Sequence, residues 1–315
     1  MKHISVMTPC YNEEGNIRNI YREVKKQFDL LPQYTYEHIF IDNCSEDHSR
    51  EILRNLAAED KNVRVILNVA NFGPNRSGTY GMFQGSGDAL IAIVCDLQDP
   101  PELIPEFLKK WEEGYKVVMG QKVKSDENPL MYRIRWIYYR LMSGLSETEH
   151  LANVTGYGLY DREVLKMIQW MDDPEPYVRG LITQLGYPWC LIEYTQRSRK
   201  TGKSSYSLRG YFDFAVTGLT HVSKKPLRIA TFIGFGMSAA SFAAAAVYLV
   251  MKLVMWDQFD MGMAPVLIGM FLLGSVQLAF IGVIGEYIGA ILTKVTKRPM
   301  VIEDERINFD ETEDR

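Results

Sequence analysis

The sequence is poor in the residues and motifs that mark several common kinds of site. It has four cysteines, none in a CxxC pair, and five scattered histidines, of which His3, His38 and His221 are expected to be packing or surface residues. It has no P-loop motif, no GxGxxG that opens the first helix and no readable Ser-His-Asp order. These absences argue against a thiol-ligated metal centre, a P-loop, a dinucleotide fold of the usual kind and a serine hydrolase. The net charge of −4 argues against a nucleic-acid partner.

Charge is also missing from two long apolar runs. Residues 229–251 and 261–285 contain no charged side chain, and each run exceeds the ~20 residues that a helix needs to cross a bilayer. We expect two transmembrane helices. The alternative is a pair of buried core helices, which seldom run so long without a charge.

The flanks of these runs predict the orientation. Lysine and arginine lie at residues 224–228 and 294–298, whereas the connection "WDQFDMG" carries two aspartates and no cation. The positive-inside rule then puts both termini in the cytoplasm. We expect a multi-pass protein of the inner (plasma) membrane, with no cleavable signal sequence and a cytoplasmic amino-terminal domain.

The amino-terminal half alternates apolar strand candidates with helical stretches. The segments "ISVMTPCY", "HIFIDNC", "VRVILNV" and "ALIAIVCDL" each precede a predicted helix, near residues 16–31, 46–58, 74–84 and 103–113. This alternation predicts an α/β domain with a mainly parallel sheet covered by helices on both faces. Ligand sites on such sheets lie at the carboxyl ends of the strands.

Polar side chains follow each of these four strands. Any single cluster could cap the next helix, but four clusters at one edge favour a binding cleft. The clusters are Pro9, Tyr11, Asn12 and Glu14; Asp42, Asn43, Ser45 and Asp47; Asn71 to Gly73; and Asp96, Gln98 and Asp99.

The last cluster is a candidate site for a hard metal ion. Asp96 and Gln98 alternate along an extended segment, so both side chains can point to one side. Their oxygen ligands suit Mg²⁺ or Mn²⁺, and such an ion usually completes its shell with substrate phosphates. The pattern fits a nucleotide diphosphate.

Five segments now carry a resemblance to a known family. They are "SVMTPCYNEEGNI", "FIDNCSEDHS", "NFGPNRSG", "VCDLQDPPELIPEFLKKWEEG" and "TGYGLYDREVL", followed by the two apolar runs. Together they resemble the polyprenyl-phosphate glycosyltransferases of inverting glycosyltransferase family 2, which include dolichol-phosphate mannose synthase and the bactoprenol glucosyltransferases. The resemblance spans essentially the whole chain. It implies a Rossmann-like GT-A fold, a nucleotide-sugar donor, a divalent metal and a polyprenyl-phosphate acceptor.

The resemblance also implies roles for individual residues. Asp96 would be the second aspartate of a metal-binding DxD, with Gln98 as a further ligand. Val94 stands where many relatives carry the first aspartate, and Gly156 and Gly158 stand where several carry an acidic and a basic residue. The donor nucleotide would contact Pro9, Tyr11, Asn12, Glu14, Asp42, Asn71, Gly73 and Arg76.

The proposed acceptor makes a catalytic base unnecessary, because a phosphate monoester is mostly a dianion at pH 7. The protein must instead neutralise two anionic groups, which requires cations. One set, on a predicted interfacial helix at 129–146 and just before it, is assigned to the acceptor phosphate, although an ordinary amphipathic helix is an alternative. A second, glycine-centred basic loop would close over the donor. The first set is Lys122, Arg133, Arg135, Arg140 and Ser143; the second is Arg197, Arg199, Lys200 and Lys203, with Ser204 or Ser205; and the expected catalytic residues are Asp96, Lys203 and Arg140.

The predicted domains follow from these assignments. They are a catalytic GT-A domain at 1–203, a juxtamembrane helix at 204–226, two membrane spans at 227–293 and a cytoplasmic tail at 294–315. Small residues in the first span make a homo-oligomer plausible.

The predicted reaction is transfer of glucose from UDP-glucose to undecaprenyl phosphate. UDP-N-acetylglucosamine and GDP-mannose are alternative donors. A processive synthase is disfavoured, because the chain has few spans and no QxxRW-like motif. A non-catalytic scaffold that binds nucleotide sugars stays open because of Val94.

Overall fold

The computed structural model describes residues 1–124, 154–173, 178–197, 225–254, 263–296 and 298–309. Contacts divide the chain into two units. The first contains all the described strands and the shorter helices, and it includes residues 298–309. The second contains the two long apolar helices.

An eight-stranded sheet forms the first unit, in the order β7-β5-β6-β4-β1-β2-β3-β8. Strands β4, β1, β2 and β3 are parallel neighbours, and β6 and β8 run antiparallel to their neighbours in this group. The predicted α/β class with a mainly parallel sheet is confirmed. The strands are β1 (Lys2–Cys10), β2 (Tyr34–Asp42), β3 (Val63–Asn68), β4 (Ala89–Ala92), β5 (Val117–Lys124), β6 (Val154–Asp161), β7 (Trp189–Thr195) and β8 (Glu303–Ile307).

Helices cover the sheet because each has an apolar stripe. In the first helix the buried residues Ile17, Ile20, Val24 and Phe28 recur at helical spacing, so one face enters the core. The first four helices lie close to their predicted positions. The helices of this unit are α1 (Ile17–Asp29), α2 (Ser49–Glu59), α3 (Pro74–Phe83), a 3₁₀ turn (Pro101–Leu103), α4 (Ile104–Glu112), α5 (Arg162–Trp170) and α6 (Val178–Leu185).

Strand β8 is a departure from the sequence analysis, which assigned residues 294–315 to a tail. It pairs antiparallel with β3, with Val65 opposite Ile307 and Leu67 opposite Glu305. The segment "EDERI" is mostly charged, so no apolar alternation indicates a strand. Charged side chains suit an edge strand, because they discourage further pairing.

The second unit contains α7 (Lys225–Val254) and α8 (Met263–Val295). By length and composition, Leu227–Met251 and Leu272–Val295 are each long and apolar enough to cross a membrane. Many of the large apolar side chains described in these helices are exposed, including Phe232, Phe242 and Leu278. The alternative of buried core helices does not fit this exposure.

Candidate active site

The loops after β1, β2 and β3 are joined at the carboxyl edge of the sheet by hydrogen bonds. The Asn12 backbone N–H donates to Ser45 Oγ at 2.8 Å, and the Asn12 side-chain oxygen accepts from Glu46 N at 2.8 Å. Glu14 accepts from His48 Nδ1 at 3.0 Å, and this contact raises the pKa of the His48 imidazole. The predicted clusters after β1 and β2 therefore form one connected surface.

Asp42 supports this surface from inside. Its side chain is 0% exposed, and it accepts hydrogen bonds from Ser45 N at 3.0 Å and from Ser45 Oγ. Arg50 Nε lies 3.7 Å from the carboxylate, too far for a hydrogen bond. Burial raises the pKa of Asp42, although its bonds with Ser45 and the Arg50 charge oppose this. In this structure, Asp42 stabilises the loop that was predicted to contact the donor.

Asn43 links the loop after β2 to the loop after β3, a role that the sequence analysis did not assign. Its Nδ2 donates to Asn71 Oδ1 at 2.8 Å, and its Oδ1 accepts from Phe72 N at 3.0 Å. Gly73 lies immediately before α3 as its N-cap, and its φ of 84° is a conformation that favours glycine. These contacts fix the predicted donor turn at the start of α3.

Arg76 follows in α3. Its guanidinium lies 5.6 Å from the Phe72 ring centre and donates to Pro299 O at 2.7 Å. Its Nε is buried with no hydrogen-bond partner among the described residues. An unsatisfied buried donor of this kind is costly, and a ligand oxygen would satisfy it.

The loop after β4 presents Asp96 and Gln98. Asp96 Oδ1 accepts from Gln98 N at 3.1 Å, and Leu97 between them has a φ of 57°. Both polar side chains are half-buried. Gln98 Nε2 donates to Arg197 O at 3.4 Å, so its amide carbonyl oxygen is the atom that it could present to a cation.

The donor set at this loop fits a divalent ion that relies on its substrate for ligands. The described residues contain no group of three or more His, Cys, Asp or Glu side chains that could hold a metal. One carboxylate and one amide oxygen remain, and Mg²⁺ often binds through one or two carboxylates together with substrate phosphates. Val94, at the position of the missing aspartate, is 38% exposed and supplies no ligand.

Asp99 anchors the base of this loop. It is 2% exposed and accepts a hydrogen bond from the Tyr194 hydroxyl. Burial raises its pKa, while that bond and the nearby charge of Lys122 oppose the rise. Tyr157 OH adds a hydrogen bond to Pro100 O at 2.5 Å. Sequence reasoning missed both tyrosines, because β6 and β7 were not predicted.

A cleft of ≈ 250 Å³ opens between the ends of β1 and β4, helix α3 and strand β6. A second cavity of ≈ 390 Å³ lies beside Asp96 and Leu97, against α1. The first cleft brings predicted site residue Pro9 together with Val94 and Gly156. Its lining includes Pro9, Asn75, Gly78, Val94, Thr155 and Gly156.

Most of the predicted cations lie outside the described residues. Lys122 is described, half-buried in β5, Arg76 is in α3, and Arg197 pairs with Glu102 at 2.9 Å. Tyr11 is exposed at the carboxyl edge. The remaining members, outside the described part of the chain, are Arg133, Arg135, Arg140, Ser143, Arg199, Lys200, Lys203, Ser204 and Ser205.

Comparison with known proteins decides the family. Residues 5–168 match the sequence profile of the family described as Glycosyl transferase family 2. The chain belongs to this family. The predicted family is confirmed, and the protein is a glycosyltransferase.

Curated relatives of this glycosyltransferase match nearly its whole length. The uncharacterized glycosyltransferase YkcC of Bacillus subtilis is 34% identical over 96% of this chain and 94% of its own. The SfII prophage-derived bactoprenol glucosyl transferase of Shigella flexneri is 33% identical over 95% of this chain and 96% of its own.

A solved structure supports the GT-A class of fold. Mannosyl-3-phosphoglycerate synthase from Rubrobacter xylanophilus aligns with a TM-score of 0.50 at 15% identity, over 74% of this chain and 75% of its own. At this identity the likeness concerns the fold alone.

Proposed function

We propose that this glycosyltransferase transfers glucose from UDP-glucose to a polyprenyl phosphate, with undecaprenyl phosphate as the acceptor. The observation that carries the proposal is the loop after β4 at the carboxyl edge of the sheet, where Val94 lines the cleft and Asp96 lines the second cavity. The choice of glucose and of the lipid acceptor is supported by the name of the Shigella flexneri relative, a bactoprenol glucosyl transferase.

The chemistry is an inverting substitution at the anomeric carbon. An acceptor phosphate oxygen forms the new bond to that carbon while the bond to the UDP oxygen breaks, and UDP leaves with the electron pair. The acceptor is already mostly dianionic at pH 7, so no side chain has to remove a proton. The protein contributes positioning and charge neutralisation.

Asp96 and Gln98 would hold Mg²⁺ or Mn²⁺. The ion would supply Lewis-acid stabilisation of the departing diphosphate. Arg76 and the loop containing Arg199, Lys203 and Ser205 would add positive charge on the donor side. Catalysis would depend on Asp96, Lys203 and Arg140. Lys122, Arg133, Arg135, Arg140 and Ser143 would hold the acceptor phosphate.

The chain path supports a location in the inner membrane. Strand β7, which precedes α7, and strand β8, which follows α8, belong to the same eight-stranded sheet. If α7 crosses a bilayer, α8 must therefore cross back. Lysine and arginine at 224–228 and 294–298 then put this unit in the cytoplasm, where UDP-glucose would be the donor.

A panel of donors tests the proposal. Purified protein with MgCl₂ or MnCl₂ and undecaprenyl phosphate is incubated with radiolabelled UDP-glucose, UDP-N-acetylglucosamine or GDP-mannose. We expect label in the lipid extract with UDP-glucose, and release of UDP in equal amount. Donor binding without release of nucleoside diphosphate would instead support the scaffold.

A further inference from the structure

The segment that follows the second apolar helix reaches the candidate donor edge at two places. Pro299 O accepts the hydrogen bond from Arg76, a predicted donor residue. Asp304 in β8 pairs with Arg50 in the first turn of α2, with Asp304 Oδ2 2.5 Å from Arg50 Nη2. The segment therefore contacts the elements that carry the loops after β2 and β3.

The Asp304 contact continues to the loop after β1. The Arg50 guanidinium that pairs with Asp304 also faces Asp42, with Nε 3.7 Å from Asp42 Oδ2. Asp42 binds Ser45, and Ser45 Oγ accepts from Asn12 N at 2.8 Å. Two ion pairs and a series of hydrogen bonds thus connect β8 to two loops of the donor edge.

A neighbouring ion pair provides a control, because it joins β8 to a different arginine of α2. Glu305 pairs with Arg54 at 2.7 Å, and the Arg54 hydrogen bond in the described part of the chain goes to Glu305. The Asp304 and Glu305 side chains are 49% and 38% exposed, whereas Arg50 and Arg54 are 24% and 46% exposed. The two pairs therefore differ in two ways: Arg50 is less exposed than Arg54, and Arg50 forms an ion pair with Asp42 at 3.7 Å.

We propose that Asp304 and Arg50 are positioning residues for the donor, through which the segment beyond the membrane helices completes the nucleotide site. The proposal rests on the proposed function, because it takes the carboxyl edge as the donor site. Asp304 holds the guanidinium of Arg50 beside Asp42. Without that anchor, Arg50 can turn to solvent and the loop containing Ser45 loses its fixed support.

Alanine variants of the full-length protein in detergent test the proposal. Binding of UDP with MgCl₂ is measured by calorimetry, and the KM for each substrate is measured by label transfer. We expect Asp304→Ala to raise the Kd for UDP and the KM for UDP-glucose by about fivefold, the upper range for a solvent-exposed pair. kcat and the KM for undecaprenyl phosphate should not change. Glu305→Ala should change each constant by less than about twofold, and Asp304→Glu should restore donor binding.

The outcomes separate this inference from the proposed function. If Asp304→Ala and Glu305→Ala alter donor binding equally, β8 only covers the edge of the sheet and the inference is wrong. An effect of Asp304→Ala on thermal stability alone also contradicts it. If the wild-type protein binds no UDP, the proposed function fails and the inference fails with it.

Discussion

The amino and carboxyl edges of the central sheet both bury polar side chains, but they do so in opposite ways. At the amino edge, Glu37 is 2% exposed and accepts from Ser5 Oγ at 2.5 Å and Ser86 N at 2.6 Å. It also pairs with Arg64 at 2.8 Å. A Cβ on Gly87 would lie 2.6 Å from Ser5 N, so this edge has no room for a ligand there.

The carboxyl edge contains open space and strained backbone conformations. Asn12, Cys44 and Leu97, in the loops after β1, β2 and β4, have φ values of 53°, 64° and 57°. Such left-handed residues cost free energy and cluster at functional sites. Arg50 Nε has no hydrogen-bond partner among the described residues, and a Cβ on Gly156 would meet no described atom within 4 Å. Buried charge alone therefore does not identify the site. Its combination with space, strain and unsatisfied donors does.

Removing the carboxylate of Asp96 should give the largest functional difference between the edges. We expect Asp96→Ala to lower transfer at least about 100-fold, because the stabilisation of the departing diphosphate is worth several kcal/mol. The thermal midpoint should not change, because Asp96 is half-buried at a loop. Label transfer to lipid and thermal unfolding in detergent provide the two measurements.

Asp88→Ala is the control for this change. Asp88 lies at the amino edge, where its carboxylate accepts from His3 N at 2.9 Å. The variant should retain wild-type transfer per folded molecule. Wild-type activity of Asp96→Ala would contradict the assignment of the carboxyl edge.

The reverse pattern is expected at the amino edge. Glu37→Gln leaves the Arg64 guanidinium without its buried counter-ion, which costs roughly 3 kcal/mol of stability. The thermal midpoint should fall by roughly 6 °C, the lower end of the expected range, because the chain is long. The KM for UDP-glucose should not change. A raised KM at an unchanged midpoint would show that the two edges are not independent.

The interior between the edges adds a pH dependence. His38 is 0% exposed, stacks on Phe40 and lies 3.0 Å from Thr8 Oγ1. Burial lowers its pKa from 6.5 to about 3. Below pH 6.5 the unfolded chain takes up a proton that the folded chain refuses, so stability is full above that pH and is lost as the pH falls toward 3.

Between pH 6.5 and 4.5 this loss should reach roughly 2–3 kcal/mol. Thermal midpoints over this range should show a slope that His38→Gln reduces, because glutamine does not titrate. An identical slope in the variant would mean that other groups cause the acid sensitivity.

The sequence predicted the loops of the donor edge better than the strands and contacts that hold those loops in place. Strand periodicity located the first four strands, and the rule for parallel sheets placed Asn12, Asp42 and Asp96 at one edge. His38 was expected to be a packing or surface residue, and it is a packing residue. These features depend on local patterns that the chain displays in order.

The strands and contacts that hold the loops in place depend on pairing between distant parts of the chain, which no local sequence pattern displays. Strand β6 carries Gly156 and Gly158, which weaken a strand signal, and it enters the sheet antiparallel between β4 and β5. The charged strand β8 pairs with β3 across most of the chain length. The contacts of Arg50 and Arg76 with that segment were therefore not predictable from spacing.

Substitutions at two glycines in α3 should have the smallest effects. They compare a position with open surroundings with one that is closely packed. A Cβ on Gly78, in the lining of the cleft, would meet no described atom within 4 Å. Three residues later, a Cβ on Gly81 would lie 3.0 Å from Ile41 Cγ2 and 3.1 Å from Met7 Cγ. Gly78→Ala should stabilise the protein by about 0.5–1 kcal/mol, because alanine favours the helix. Gly81→Ala should instead destabilise it by about 1 kcal/mol through overpacking. Thermal midpoints of the two variants should therefore move in opposite directions, and a fall of the same size in both would show that the cleft side of α3 is as closely packed as the core.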